Sequence, residues 1–393
     1  MGEVVREWVG IDSPSAPRQV FGGYPHEGVY HAVKGHQPEV AFLVGHPTGN
    51  FKDHYLAPYL ANKGFGVLGW TTRYKNAPAY FQVENALVDL GAGVQWLREV
   101  AGVKKVVLVG NSGGGSFYAT YQAQATDPNS IRVDEQFKSA ATEGTNIGGQ
   151  ISRVPATKVS VEQAVRQLSP ADLYISLNSH QGRADVLTTW LDPSVIDETD
   201  LFATDPDLDM FNPRNGPPYS PEFLTRYRRA QVDRNHRISA WARKELAELN
   251  SRGVADRVFL IYRQFADPRF ADLSIDPSER EAGCFSGDPR TANYGPHGLA
   301  PFVTLRGWLS MWSLEDSQFR GTGHFGKVRV PSLVIQSTRD QGVFPSDAHA
   351  IHDALGASDK TLKFLSAGHY FEDNSEVKEE AATVIADWTS ARV

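Results

Sequence analysis

Short, uninterrupted apolar runs alternate along the chain with longer stretches in which apolar residues recur at helical spacing. A short run that is apolar on both faces is typical of a strand covered by helices on each side. The runs predict strands at 40–44, 66–70, 106–109, 173–177, 333–335 and 362–365. The helical spacing predicts helices at 53–63, 83–100, 117–125 and 376–390. This order of elements predicts right-handed crossovers and a mostly parallel sheet of the α/β class. Asp53 is expected to cap the first helix and Gly64 to stop it.

The segment 183–326 breaks this rhythm. It is rich in proline, aspartate and aromatic residues, holds four of the eight tryptophans, and has its best helical pattern at 221–249. A loop of this length without structure of its own would be unusual. We therefore expect 183–326 to be a cap, inserted into a core formed by 1–182 and 327–393. The polar stretch 127–169 is predicted only to be an excursion before the next strand.

Composition narrows the class of protein. The chain has 393 residues, 41% hydrophobic and 22% charged, which is typical of a globular protein with a large core. A net charge of −7 without a dense basic block argues against nucleic-acid binding. The single cysteine, Cys284, cannot form an internal disulfide or a cysteine-based metal site. No signal segment and no run of eighteen apolar residues is found, so we expect a cytoplasmic protein without membrane partners.

The clearest candidate chemistry lies in the glycine-rich turn after the strand at 106–109. Residues 110–114 read G-N-S-G-G and match the pattern G-x-S-x-G, between a buried strand and a helix. In that setting a serine is held on a tight, strained turn with its hydroxyl exposed. Glycines at positions 110 and 114 allow strand and helix to approach each other closely. Ser112 is therefore the candidate nucleophile.

Two phosphate-binding patterns do not fit the same turn. A P-loop requires Lys and then Ser or Thr after its last glycine, whereas Ser116 and Phe117 follow here. The dinucleotide fingerprint G-x-G-x-x-G has a spacing that differs from G-N-S-G-G-G. Both patterns are set aside in favour of the nucleophile.

A serine hydroxyl needs a base beside it, and the base needs an orienting acid. Where this turn occurs, the acid and then the histidine follow the serine along the chain. Asp340 stands just beyond the strand at 333–335, and His369 directly follows the strand at 362–365. His349 and His352 are rival bases, but they lie in the intervening helical stretch. Asp185 is the alternative acid.

Two backbone N–H groups are expected to bind the negative oxygen that develops during acyl transfer. One belongs to Gly113, the residue after the nucleophile. The other should come from the loop after the strand at 40–44. Pro47 has no N–H to donate, so Thr48 is the candidate, through its backbone N–H, with its hydroxyl as a second option. The alternative is that His46 and Pro47 form only a tight turn.

The serine turn, the acid turn and the histidine loop, in this order, resemble the α/β-hydrolase superfamily. The resemblance covers about 40–177 and 330–393, and it is not specific for any one member. It implies a mostly parallel, eight-stranded sheet with helices on both faces and a lid over the site. Many members have His-Gly in the loop where this chain has His46 and Pro47. Members with an aspartate nucleophile are disfavoured because position 112 is serine.

The resemblance implies a serine hydrolase that cleaves a carboxylic ester through an acyl-enzyme, without metal or organic cofactor. The partner is then a small-molecule substrate, and the aromatic residues of 183–326 favour a largely apolar one, although most of them are expected simply to pack the cap. The same residues can also serve amides, lactones, thioesters or carbon–carbon bonds, because fold does not fix substrate. A catalytically silent ligand-binding member and a scaffold protein stay open as well. The oligomeric state is also open, with a homodimer as one option.

Overall fold

Eight strands form one sheet in the computed structural model, which describes residues 2–15, 26–138 and 159–393. The strands are β1 (Val4–Ile11), β2 (His26–Val33), β3 (Val40–Gly45), β4 (Gly66–Thr71), β5 (Lys105–Asn111), β6 (Leu173–Leu177), β9 (Ser332–Ser337) and β10 (Lys360–Leu365). Their spatial order is β1-β2-β4-β3-β5-β6-β9-β10. The six strands from β4 to β10 run parallel, whereas β1 and β2 pair antiparallel. The predicted eight-stranded, mostly parallel sheet is confirmed, and the sheet is mixed.

The antiparallel strands β1 and β2 are absent from the sequence prediction. β1 lies at the edge of the sheet, and its Arg6 and Glu7 are exposed. A strand that faces solvent needs no apolar run, so the pattern that reveals the central strands is missing there.

The helices lie between the strands in chain order. They are α1 (Ala57–Asn62), α2 (Val83–Glu99), α3 (Gly114–Thr126), α4 (Val161–Arg166), α5 (Arg183–Trp190), α6 (Pro221–Ser251), α7 (Pro289–Ala292), α8 (Leu305–Met311), α9 (Pro345–Ala354) and α10 (Ser375–Ser390). The helix predicted at 53–63 begins only at Ala57, with Pro58 in its first turn. Asp53 does not cap it, because the N-cap position falls on Leu56; the Asp53 carboxylate pairs with Arg6 of β1 instead.

Both faces of the sheet are covered, which explains the continuous apolar runs. Along β3, Leu43 faces a core cluster that includes residues of α2 and α3, whereas Phe42 and Val44 face a cluster that includes residues of α1 and α10. All three side chains are fully buried. Strands covered in this way cannot show the apolar–polar alternation of a half-exposed sheet.

The segment between β6 and β9 contains α5, α6, α7 and α8, together with the antiparallel pair β7 (Val258–Leu260) and β8 (Phe302–Thr304). Trp190, Trp308 and Trp312 are buried in apolar clusters, so these tryptophans pack the protein interior. Within 127–169, α4 is seen, while 139–158 of that predicted excursion lie outside the described residues. Across the described ranges, every helix is too short or too polar to span a bilayer.

Candidate active site

Ser112 lies on a tight turn between β5 and α3, and we call residues 110–114 the elbow. Its φ of 55° is one that non-glycine residues rarely adopt. Its N–H donates a 2.9 Å hydrogen bond to the Leu177 carbonyl at the end of β6. A methyl group on Gly110 would lie 2.3 Å from the Gly114 carbonyl oxygen. The close approach inferred from these glycines is therefore present in the structure.

Asp340 and His369 meet at the carboxyl ends of β9 and β10. The distance from Asp340 Oδ2 to His369 Nδ1 is 2.5 Å, and both side chains are buried. The other carboxylate oxygen, Oδ1, accepts hydrogen bonds from the Gly342 and Val343 N–H groups at 2.8 and 3.1 Å. These bonds fix the carboxylate, which in turn fixes the orientation of the imidazole.

Asn178, at the end of β6, connects the elbow to the loop that holds His369. It directly follows β6, is fully buried, and has a φ of 45°. Its side-chain amide donates to the His369 carbonyl at 2.7 Å and to Ser337 Oγ at 2.9 Å. Its Oδ1 accepts from the Ser337 N–H at 2.7 Å. The N–H of Ser112 is hydrogen-bonded to Leu177, the residue before Asn178. Residues 177 and 178 therefore join the elbow to the loop that holds His369.

The Nε2 atom of His369 is buried and has no hydrogen-bond partner within the described parts of the chain. No hydrogen bond joins it to Ser112 among those residues. The ring is covered by Phe285, whose centroid lies 4.9 Å from that of His369, and by Tyr370 at 4.5 Å. A buried nitrogen without a partner is unusual, so this atom is available to a group that enters the site.

The loop after β3 is organised around His46. Its Nδ1 accepts hydrogen bonds from the Thr48 N–H at 3.1 Å and the Gly49 N–H at 2.7 Å. An imidazole that accepts at Nδ1 carries its proton on Nε2. A methyl group on Gly113 would lie 2.8 Å from that Nε2. The Thr48 N–H, predicted from the sequence to be the second oxyanion donor, is therefore committed to His46, and the His46 ring itself lies beside the elbow.

The surroundings of the elbow are electropositive. Burial, together with the positive charge of Arg183, holds the pKa of His46 and of His180 well below the usual value. Burial lowers the pKa of Arg183 to about 10, so the guanidinium stays charged at neutral pH. The N-terminus of α3 also faces the elbow and adds a partial positive charge. The site thus favours negative charge next to Gly113.

The rival residues have partners of their own. Asp185, the alternative acid, forms a bidentate ion pair with Arg320. His349 is exposed on α9 and contacts Phe364, and His352 on the same helix lies 3.2 Å from Asp353. In the part of the chain that the structure describes, no group of three or more His, Cys, Asp or Glu side chains could hold a metal ion.

Sequence reasoning missed Asn178, His180, Arg183 and the role of His46. A signal was present, since the polar run Asn-Ser-His directly follows the predicted strand at 173–177. In open α/β sheets, side chains beyond the carboxyl ends of strands line the ligand crevice. The same rule that identified Asp340 and His369 therefore applies to this third strand end.

Comparison with known proteins gives structural similarity only. No family model and no curated protein matches the sequence. A monoacylglycerol lipase from Paleococcus ferrophilus is 15% identical, with all of both chains covered and a TM-score of 0.45. An α/β-hydrolase from a Penicillium species is 11% identical with a TM-score of 0.45, and a dienelactone hydrolase from Anabaena variabilis is 10% identical with a TM-score of 0.41. Each of these two alignments covers 99% of both chains.

Because these identities are so low, the fold is assigned from the order of the strands and from the elbow. The sheet has eight strands, its second strand is antiparallel, and its fifth strand leads directly into the serine turn and α3. Asp340 and His369, the predicted acid and base, follow the last two strands. The chain therefore has the α/β-hydrolase fold that the resemblance of its motifs implied.

Proposed function

We propose that this protein is a serine hydrolase that cleaves a carboxylic ester through an acyl-enzyme intermediate. The observation that carries the proposal is the buried pair of Asp340 and His369, 2.5 Å apart, with the far nitrogen of the imidazole unpartnered among the described residues. The strained conformation of Ser112 on the elbow supports the same assignment.

In the first half of the proposed reaction, Ser112 Oγ attacks the ester carbonyl and its proton passes to His369 Nε2. Asp340 accepts a hydrogen bond from His369 Nδ1 and stabilises the imidazolium that forms. The ester C–O bond then breaks, and His369 gives the proton that it took from Ser112 to the departing oxygen, which leaves as an alcohol. An acyl group now occupies Ser112.

In the second half, water attacks the acyl carbon while His369 takes one of its protons. The bond to Ser112 Oγ breaks, and His369 returns the proton to the serine. The carboxylic acid leaves, and the enzyme is restored.

The negative oxygen of each tetrahedral intermediate needs two donors. We assign the first to the Gly113 N–H at the start of α3. We revise the second from Thr48 to the Nε2–H of His46, because the Thr48 N–H already donates to His46 Nδ1. In this assignment Thr48 and Gly49 orient the ring, and the ring supplies the donor.

We also propose that 183–326 acts as a cap over the site. Two contacts support this role. Phe285, from this segment, packs its ring against His369, and Arg183, the first residue of the same segment, lies beside Gly113 of the elbow. A cap that contributes apolar rings near the reacting groups would exclude water and favour a small molecule with an apolar body.

The test is hydrolysis of p-nitrophenyl esters of increasing acyl length, with Ser112→Ala as the control. We expect turnover that Ser112→Ala abolishes, with a preferred acyl length that measures the space under the cap. A fluorophosphonate probe should label the native protein at Ser112 and not the variant.

Two failures have different meanings. Labelling without turnover of any ester would retain the nucleophile and redirect the search to amide, lactone, thioester or carbon–carbon substrates on the same residues. Absence of both labelling and turnover in folded protein would overturn the proposal and favour a silent ligand-binding protein.

A further inference from the structure

Arg183 is a buried cation placed next to the elbow. It is the first residue of α5, and 6% of it is exposed. A methyl group on Gly113 would lie 2.8 Å from Arg183 Cδ and 3.2 Å from its Nη1. The guanidinium carbon lies 4.6 Å from the centre of the Trp312 ring. The cation is therefore held beside the residue that follows Ser112.

No carboxylate neutralises Arg183 within 2–15, 26–138 and 159–393. None of the carboxylates in these ranges forms an ion pair with its guanidinium, and no residue there accepts a hydrogen bond from it. Its Nε is fully buried without an acceptor. The group that favours its charge is the phenol of Tyr370. Burial and the Asp340 charge raise the pKa of that phenol, so it is neutral at physiological pH.

The titratable groups around Arg183 do not compensate its charge. His46 and His180 are both affected by its positive charge, which helps to keep them neutral. Arg183 also occupies the first turn of α5, where the helix dipole disfavours a cation. In contrast to Arg183, Arg263 and Arg320 of the same segment each form an ion pair with an aspartate.

A buried cation without a partner is costly, and proteins retain such groups where they are needed for function. We propose that Arg183 binds a carboxylate of the substrate and is the specificity-determining residue of this site. This inference rests on the proposed function for the position of the reacting carbonyl. It adds to that function the chemical class of the substrate, an ester that itself carries a carboxylate.

The distances limit where that carboxylate lies in the substrate. A guanidinium holds a carboxylate with N···O distances of about 2.8 Å, in a bidentate geometry where both oxygens are free. Because Nη1 lies next to Gly113, and Gly113 is the proposed oxyanion donor, the two functional groups must be separated by a few bonds. Half-esters of short dicarboxylic acids and O-acylated small hydroxy acids meet this condition. A neutral ester, such as a p-nitrophenyl ester, reacts at Ser112 in the same way but leaves the guanidinium without a partner.

Two matched pairs of probes test the proposal. Ethyl hydrogen succinate and ethyl succinamate differ only in a carboxylate or carboxamide on the acyl side. Acetoxyacetate and acetoxyacetamide differ in the same way on the alcohol side. Binding is measured by calorimetry to Ser112→Ala, in which turnover cannot contribute. We expect at least one anion to bind more tightly than its amide by roughly 10- to 150-fold, the range of a charge-assisted hydrogen-bonded pair.

The double variant Ser112→Ala/Arg183→Met should lose that preference, because methionine keeps much of the apolar contact with Trp312 and removes the charge. Arg183→Lys, which keeps the charge without the planar fork, should retain part of the preference. Equal binding of each anion and its amide by Ser112→Ala would overturn the proposal. So would a preference that survives the loss of Arg183.

Thermal unfolding separates the binding role from a structural one. Since the cation has no partner among the described residues, Arg183→Met should melt at the same temperature as the native protein or a few degrees higher. A large decrease in melting temperature would assign Arg183 to the fold instead. The binding comparison is then made with Arg183→Lys alone. If that variant prefers the anion over the amide as strongly as the native residue does, the bidentate contact is contradicted.

Hydrolysis by the protein with Ser112 intact distinguishes the two proposals. If the ester bond is cleaved at equal rates in the carboxylate and the carboxamide of each pair, the proposed esterase activity is retained and the proposed role of Arg183 is rejected. Tight binding of the anions without hydrolysis of any ester would retain Arg183 and reject the esterase. If Arg183→Met slows both members of a pair equally, the guanidinium acts on the oxyanion and not on a substrate carboxylate.

Discussion

The side-chain amide of Asn178 donates a 2.7 Å hydrogen bond to the backbone carbonyl of His369. This bond crosses from the end of β6 to the loop after β10, although β9 lies between the two strands. The same side chain also bonds both the hydroxyl and the N–H of Ser337, at the end of β9. One buried amide therefore ties together three strand ends, and through them it fixes the position of the imidazole.

Replacing Asn178 should slow catalysis without weakening substrate binding. In Asn178→Gly the positive φ is kept at little cost, but the Ser337 N–H and the His369 carbonyl lose their partners. Leaving such buried groups unpaired costs about 1–3 kcal/mol each at most. We expect a lower melting temperature and a reduced kcat at nearly constant KM, because the histidine is less well positioned.

Asn178→Ala separates the backbone contribution. It loses the same hydrogen bonds and in addition must hold a φ of 45°, which disfavours an alanine by about 1 kcal/mol. Alanine should therefore be the less stable of the two variants in a urea titration. Equal stabilities would mean that the backbone relaxes, and an unchanged kcat in both would remove Asn178 from the positioning of His369.

Asp340→Asn should leave the fold intact and reduce kcat by about 10⁴-fold, as loss of the orienting carboxylate does in serine triads. An amide at this position favours the wrong tautomer of His369. The matched control is Asp185→Asn, which removes the carboxylate paired with Arg320. Ester hydrolysis by both variants is measured beside their melting temperatures. Near-normal turnover in Asp340→Asn, with a strong loss in Asp185→Asn, would transfer the role of the acid to Asp185.

The central strands and the three predicted groups of the triad follow from the sequence because each has a local signal. Val106–Val109 form an apolar run that ends in the glycine-rich turn, and Asp340 and His369 each stand just beyond a predicted strand. The edge strand β1 has no such signal, because solvent covers most of it. The start of α1 follows Pro58, which lies in its first turn. Asp53 pairs with Arg6, a residue of a strand that the apolar pattern does not reveal.

Two other site residues, His46 and Arg183, depend on tertiary contacts that no local pattern encodes, whereas Asn178 and His180 stand in a polar run just beyond a predicted strand. His46 is close in sequence to Thr48, the predicted oxyanion donor. Its own proposed role as a donor depends on the hydrogen bonds that its Nδ1 accepts from Thr48 and Gly49. The change in composition makes Arg183 the first residue of the predicted cap and says nothing more about it. Its significance lies in the absence of a carboxylate around it among the described residues, and only a folded structure gives that information.

The second oxyanion donor can be identified by two substitutions. His46→Asn keeps an acceptor near the position of Nδ1 and removes the Nε2–H, so kcat should fall by about 10²–10³-fold. Thr48→Val removes only the hydroxyl and keeps the N–H that orients His46, so its effect on kcat should be several-fold at most. The pair is compared on one neutral ester under saturating conditions. The opposite ranking would return the donor to the Thr48 hydroxyl.

Stability should decrease at acidic pH because of buried neutral histidines, and His54 gives the clearest case. It is 2% exposed, and burial lowers its pKa to about 3. Its unfolded pKa is near 6.5, so below that pH the unfolded chain binds a proton that the native protein does not. The free energy of unfolding therefore falls as the pH drops from about 6.5 toward 3. His46 and His180, whose pKa values are also lowered by burial, act in the same direction.

His54→Gln removes one of these groups and should flatten the pH dependence. Melting temperatures are measured from pH 7 to pH 4 for the native protein, for His54→Gln and for His349→Gln, in which an exposed histidine of α9 is replaced. The His349 variant should follow the native curve, because its ring is exposed on α9 and its replacement removes no buried histidine. The His54 variant should lose less stability over the same interval, whatever its melting temperature at pH 7. Parallel curves for all three proteins would mean that His54 is protonated without unfolding, and the acid sensitivity would then have to come from other groups.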